Sequence, residues 1–132
     1  MKGLSTSISK TLVPGAILNC ADNSGAELLK VIGVLGWQGR KRRNPKAGIG
    51  DVVVASVIKG SPTYLKKVVK AVVIRQKAPM RRANGLRIRF EDNAAIMIND
   101  EGLPVGTVVK GPMPREVIEI DINLAGLASK VI

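Results

Sequence analysis

Residues 51–75 read Asp51-Val52-Val53-Val54-Ala55-Ser56-Val57-Ile58-Lys59-Gly60-Ser61-Pro62-Thr63-Tyr64-Leu65-Lys66-Lys67-Val68-Val69-Lys70-Ala71-Val72-Val73-Ile74-Arg75. Two runs dense in β-branched side chains flank a segment that holds Gly60 and Pro62. Such side chains lose rotamer freedom in a helix and pack well on a pleated surface. The pattern predicts strands from Asp51 to Ile58 and from Lys67 to Lys77. Working outward, runs of the same kind predict strands over Ala16 to Ala21, Glu27 to Leu35, Leu86 to Phe90 and Ala94 to Ile98. The connections carry turn chemistry: Asp22-Asn23-Ser24-Gly25, Asn84-Gly85 as a two-residue hairpin loop, and Asn99-Asp100-Glu101-Gly102. Gly48-Ile49-Gly50-Asp51 precedes a strand and opens no helix, so it reads as a turn rather than a phosphate-cradling loop. Short strands joined by tight turns, with almost no helical periodicity, predict an all-β fold built as a small closed barrel. Closure removes the edges that such Val-rich strands would otherwise expose.

The last thirty residues follow a different pattern. Gly111-Pro112-Met113-Pro114 breaks the strand periodicity. From there a short helix beginning near Arg115, with Pro114 in its first turn, is one reading. A strand is the other, because Ile118, Ile120, Ile122 and Leu124 alternate with polar residues. Leu124 to Lys130 again leans helical. With 132 residues and 14.0 kDa, the chain is expected to form a single domain, its barrel over about 10–110 and a C-terminal lobe over about 111–132.

The charge is segregated. Lys and Arg number 21 against 10 Asp and Glu, a net charge of +11. Fifteen of the basic residues lie between 40 and 89, where Asp51 is the single acid, whereas residues 90–132 are net acidic. A folded chain tolerates this self-repulsion chiefly for a polyanionic partner, and nucleic acid is the first expectation. Arg40-Lys41-Arg42-Arg43-Asn44-Pro45-Lys46 reads as an exposed loop. The second basic stretch runs from Lys59 to Arg89. Its alternation in Leu86-Arg87-Ile88-Arg89-Phe90 predicts Arg87 and Arg89 on one face, opposite Leu86, Ile88 and Phe90. Only Trp37, Tyr64 and Phe90 are aromatic, too few for readout of single strands by stacking. Recognition of backbone shape and phosphate spacing is favoured. Trp37, beside the basic loop, either stacks on a flipped base or packs over the end of the core.

Catalysis finds little support. The chain has no His and one Cys, which removes imidazole bases, internal disulfides and CxxC metal knuckles. Cys20 lies in an apolar strand and reads as a buried structural thiol. Glu91-Asp92-Asn93 and Asp100-Glu101 sit in expected turns, where Asp and Asn serve the turn itself rather than a divalent ion. No cofactor and no metal site are expected. The N-terminal stretch from Met1 to Lys10 lacks the apolar core of a signal peptide, and no run approaches the length of a membrane span. The expectation is a soluble cytoplasmic protein with no membrane partner.

Five strings then resemble, in order, the universal large-subunit ribosomal protein numbered fourteen. They are Cys20-Ala21-Asp22-Asn23-Ser24-Gly25-Ala26, Gly48-Ile49-Gly50-Asp51, Lys70-Ala71-Val72-Val73-Ile74-Arg75, Ile88-Arg89-Phe90-Glu91-Asp92-Asn93-Ala94 and Gly111-Pro112-Met113-Pro114-Arg115-Glu116. Arg42-Arg43-Asn44-Pro45-Lys46-Ala47-Gly48 resembles the archaeal and eukaryotic branch, whose basic loop is the longer. The resemblance implies a five-stranded β-barrel with a C-terminal lobe of loops and short helices. It implies a ribosome-located structural constituent that binds large-subunit ribosomal RNA beside the ribosomal proteins numbered three and twenty-four. It further implies contact with small-subunit ribosomal RNA at an intersubunit bridge, and a surface where an anti-association factor docks.

The residues expected to contact RNA are Arg40, Lys41, Arg42, Arg43 and Lys46 as an arm, with Lys59, Lys66, Lys67, Arg75, Lys77, Arg81, Arg82, Arg87 and Arg89 as a wall. Glu116, Glu119 and Asp121 are expected near protein neighbours, since an acidic surface suits RNA poorly. A free-standing, chromatin-like nucleic-acid-binding protein is the alternative.

Overall fold

Five strands close a barrel in the computed structural model, which describes residues 8–132. The signal-peptide reading falls mostly on residues 1–7, outside those described. Strand β1 (Ile17–Cys20) pairs antiparallel with β2 (Ala26–Val34), which pairs antiparallel with β3 (Val52–Gly60), and that with β4 (Val68–Arg75). Two short strands follow, β5 (Met80–Arg81) and β6 (Arg87–Ile88), before β7 (Ala94–Ile98). Strand β7 runs antiparallel to β4 and parallel to β1, and this last pairing closes the cylinder. Irregularities in register, such as the one between Val31 and Gly33, supply the bends a small barrel needs. The barrel strands lie within a residue or two of their expected bounds.

Inward-facing residues alternate along each strand and fill the interior. Leu18, Leu29, Val31, Val53, Ala55, Val57, Ala71, Val73, Ala95 and Met97 form one buried cluster. The opposite faces of β4 and β7 are also buried: Val72, Ile74, Ile96 and Ile98 join Val109, Met113, Val117 and Leu124 in a second cluster. The C-terminal lobe thus caps the outer wall of the barrel at these two strands. Burial on both faces explains why Ala71–Ile74 and Ala94–Ile98 read as continuous apolar runs.

Several expectations need correction. Leu86 to Phe90 is not a barrel strand. Only Arg87–Ile88 is extended, in a hairpin with Met80–Arg81 outside the barrel, and Leu86 is 61% exposed rather than turned inward. The hairpin loop holds three residues rather than two. The Arg82 N–H donates to the Leu86 carbonyl at 2.8 Å, and Gly85 takes φ +87°, the left-handed position such loops demand. Second, Gly111-Pro112 does not end a strand. Strand β8 (Val109–Met113) pairs in parallel with β9 (Ala128–Val131), with an irregularity between Val109 and Pro112 that accommodates the missing proline N–H. Of the two readings left open for Ile118 to Leu124, the structure takes the helical one. Helix α1 (Arg115–Ile120) begins after Pro114, and a 3₁₀ helix spans Ile122–Leu127, with Ile122 79% exposed. The helical lean of the following residues ends there, because Ala128–Val131 is the strand that covers β8.

Candidate nucleic-acid interface

Strand pairing decides where the charges go. The end of β2 meets the start of β3 at Val34 and Val53; the start of β3 meets the end of β4 at Val52 and Val72. The end of β4 in turn meets the start of β7 at Arg75 and Ala94. The β2–β3 loop and the long β4–β7 connection therefore leave the same end of the barrel. The first carries Arg40, Lys41, Arg42, Arg43 and Lys46; the second carries Lys77, Arg81, Arg87 and Arg89. All nine are exposed, and none forms an ion pair among the described residues.

Each segment is anchored. Beyond the basic loop, Ala47 exchanges backbone hydrogen bonds with Leu12 at 2.7 and 2.9 Å, and the Asp51 carboxylate accepts from the Gly48 N–H at 2.8 Å. At the other connection, Gln76 Nε2 donates to the Ser9 carbonyl at 2.9 Å and the Lys77 N–H donates to Asn93 Oδ1 at 2.8 Å. In the hairpin, Arg81 and Arg87 are direct cross-strand partners. Like charges so placed repel, which weakens the hairpin until an anion lies between them.

The other expected cations stand elsewhere. Lys59, Lys66 and Lys67 are at the opposite end, where β3 turns into β4, and Lys59 pairs with Glu27 at 3.1 Å. Arg75 and Arg82 leave the expected wall altogether, being 6% and 9% exposed. Arg75 donates to both oxygens of Asp92, at 3.0 and 3.2 Å, and to the carbonyls of Lys110 and Pro112. A Cβ on Gly111 would meet the Arg75 guanidinium at 2.5 Å, and Gly111 also has φ +82°, so glycine is required there twice over. Arg82 pairs with Glu116 and also donates to the Ile132 carbonyl oxygen. Glu116, 7% exposed, is thereby withdrawn from the expected protein-facing set. Glu119 remains exposed, and the half-buried Asp121 accepts from the Asn123 N–H at 3.1 Å.

Several other polar groups have structural partners. Cys20 Sγ donates to Asp22 Oδ1 at 3.0 Å, and burial, aided by that carboxylate, pushes the thiol pKa up to about 12. A thiol held protonated is a poor nucleophile. Asp22 also accepts from Ser24 and from the Met97 N–H, which ties the β1–β2 turn to β7. Asp92 serves Arg75, and Asp100 pairs with Lys70 at 3.3 Å. Among the described residues, no helix is long and apolar enough to cross a membrane. Asn44, which lines a cleft with Trp37, Arg42, Arg43 and Lys46, lay outside the expected set because asparagine in a loop reads first as a turn former.

Comparison with known proteins adds an independent line. Residues 11–132 match the family described as ribosomal protein L14p/L23e. The chain is 47% identical over 132 residues, all of both chains, to the large ribosomal subunit protein uL14 of Halobacterium salinarum. Proteins of the same name from Halorubrum lacusprofundi and Methanocorpusculum labreanum are 48% and 46% identical, again over all of both chains.

Proposed function

The chain belongs to the ribosomal protein L14p/L23e family, and from that premise we propose how it acts as a structural constituent of the large ribosomal subunit. Its archaeal relatives agree with the branch read from Arg42 to Gly48. The barrel is a rigid mount that presses one end against large-subunit ribosomal RNA. Arg40, Lys41, Arg42, Arg43 and Lys46 reach phosphates from the loop, and Lys77, Arg81, Arg87 and Arg89 reach them from the hairpin segment. The observation that carries this reading is the convergence of nine exposed cations, without ion-pair partners among the described residues, on two loops of one barrel end. Arginine forks suit phosphate oxygens, and neutralisation relieves the repulsion the loops otherwise carry.

Lys59, Lys66 and Lys67, at the far end, offer a smaller second surface for small-subunit ribosomal RNA at an intersubunit bridge. Glu119 and Asp121 face protein neighbours, with the ribosomal proteins numbered three and twenty-four as the expected ones and an anti-association factor as a transient one. Sedimentation of the native protein through sucrose gradients tests the assignment. Migration with the large subunit at low salt, and release as salt rises, is expected. A protein that sediments apart from ribosomes at all salt concentrations, and binds duplex DNA as well as RNA, would instead be the free-standing nucleic-acid-binding protein.

A further inference from the structure

We propose that Trp37 and the loop after it form a subsite for one unpaired nucleotide of the bound RNA; this rests on the RNA reading above. A cleft of about 380 Å³ is lined by Val13, Trp37, Arg42, Arg43, Asn44 and Lys46, within the range of small-ligand sites, roughly 300–1,000 Å³. One wall is an indole ring, and the others bring two guanidinium groups, an ammonium and an amide. Cations alone describe a phosphate site. An aromatic face beside them, with an amide able to both donate and accept, describes a base attached to its phosphate.

Three further observations concern Trp37 and the loop after it. Trp37 Nε1 is shielded from water and has no hydrogen-bond partner. Buried N–H groups are nearly always paired, which makes an unpaired indole N–H beside this loop unusual. A Cβ on Gly39 would lie 3.7 Å from Nε1, so bare backbone passes over this edge of the ring. Arg42 has φ +66°, a conformation that costs a non-glycine residue energy and recurs at ligand clamps. Among the described residues, Trp37 is the aromatic side chain that stands beside the cations of the basic loop. Phe90 is buried, and Tyr64 lies in the loop at the opposite barrel end. One extruded nucleotide in an otherwise paired RNA is the ligand that fits one aromatic wall.

Trp37 is the single tryptophan of the chain, so its fluorescence reports stacking directly. The full chain is titrated at low salt with a single-stranded adenosine hexaribonucleotide and with a blunt-ended, fully paired RNA duplex, binding being followed independently by anisotropy. The hexamer should quench Trp37 saturably, the duplex should bind without quenching, and inorganic phosphate at constant ionic strength should not reproduce or displace the quench. Trp37→Ala should weaken hexamer binding about tenfold without changing its salt dependence, and Trp37→Phe should restore most of it. Hexamer binding without quenching, or equal quenching by the duplex, overturns the subsite and leaves the RNA reading intact. Displacement by phosphate alone reduces the cleft to an anion site and also overturns it. Failure of both RNAs to bind overturns the RNA reading itself, and the subsite with it.

Discussion

Arg82 and Glu116 meet across 34 positions of sequence, Nε to Oε1 at 2.6 Å and Nη2 to Oε2 at 3.2 Å. Both side chains are only 9% exposed. Their bidentate pairing fastens the basic hairpin of the β4–β7 connection to the first helix of the C-terminal lobe. An arginine with the sequence context of a phosphate ligand is thus a structural rivet, while Arg81 beside it and Arg87 across the hairpin are exposed and form no ion pair among the described residues. The interface is held in place by a residue of its own type.

Removing one partner of this pair strands a buried charge. Glu116→Gln should lower unfolding free energy by about 3 kcal/mol or more, and Arg82→Met with Glu116→Leu should cost much less. Urea unfolding of the three chains measures the difference. A double variant as unstable as the single one would show that the charges are not the cause.

RNA affinity should fall steeply with salt. Engagement of all nine cations at one barrel end corresponds to a slope of log K against log salt of about −6 to −8. Arg42→Gln with Arg43→Gln should flatten it by about one to two units. Arg82→Met with Glu116→Leu should leave the slope unchanged, since Arg82 does not face solvent. Anisotropy titrations with a large-subunit ribosomal RNA fragment measure both. An unchanged slope in the loop variant would remove that loop from the interface.

Arg81 and Arg87 make a trade between stability and binding. Arg87→Glu turns a repulsive cross-strand pair into an attractive one and should stabilise the free protein by roughly 0.2–1 kcal/mol. The same change should weaken RNA binding and flatten its salt slope. Thermal unfolding and binding measured on one preparation should move in opposite directions. A variant that both binds and unfolds like the parent would place the pair away from RNA.

Cys20 predicts a loss of stability at alkaline pH. Below about pH 9 the thiol is protonated in both folded and unfolded chains. Above it the unfolded thiol ionises, while the folded one holds its proton until about 12. The unfolded state then binds fewer protons, and stability falls as pH rises through that window. The unfolding free energy of the parent should therefore decline against that of Cys20→Ala between pH 9 and 11. Parallel curves would disprove the shift. Alkylation of the native thiol should also stay slow up to pH 9.

The barrel strands were legible because their determinants are local. Val52 to Ile58 and Val68 to Ile74 carry their β-branched density wherever they are placed, and Asp22 to Gly25 carries its own turn. The basic middle was legible for the same reason, since charge density along a chain needs no partner to be counted. The lobe was not. Ile118 to Leu124 satisfies a strand period and a helix equally, and docking on the outer faces of β4 and β7 decides for helices, burying Val117 and Leu124 and leaving Ile122 in solvent. Pro112 stands in β8 opposite Lys130 of β9, which arrives from further along the chain, in a two-stranded sheet whose ladder is irregular between Val109 and Pro112.

By itself, then, the order of residues determined a β-barrel, a cationic segment and a family. Tertiary structure alone decided which cations are available. Arg75, Arg82, Arg87 and Arg89 are alike as entries in a charge count. Two of them meet carboxylates 17 and 34 positions away, and two meet none among the described residues. Strand pairing, not sequence distance, brings Arg40 to Lys46 and Lys77 to Arg89 to one end and leaves Lys66 and Lys67 at the other. Electrostatic energy depends on separation in space and on burial, and both come into being only when the cylinder closes.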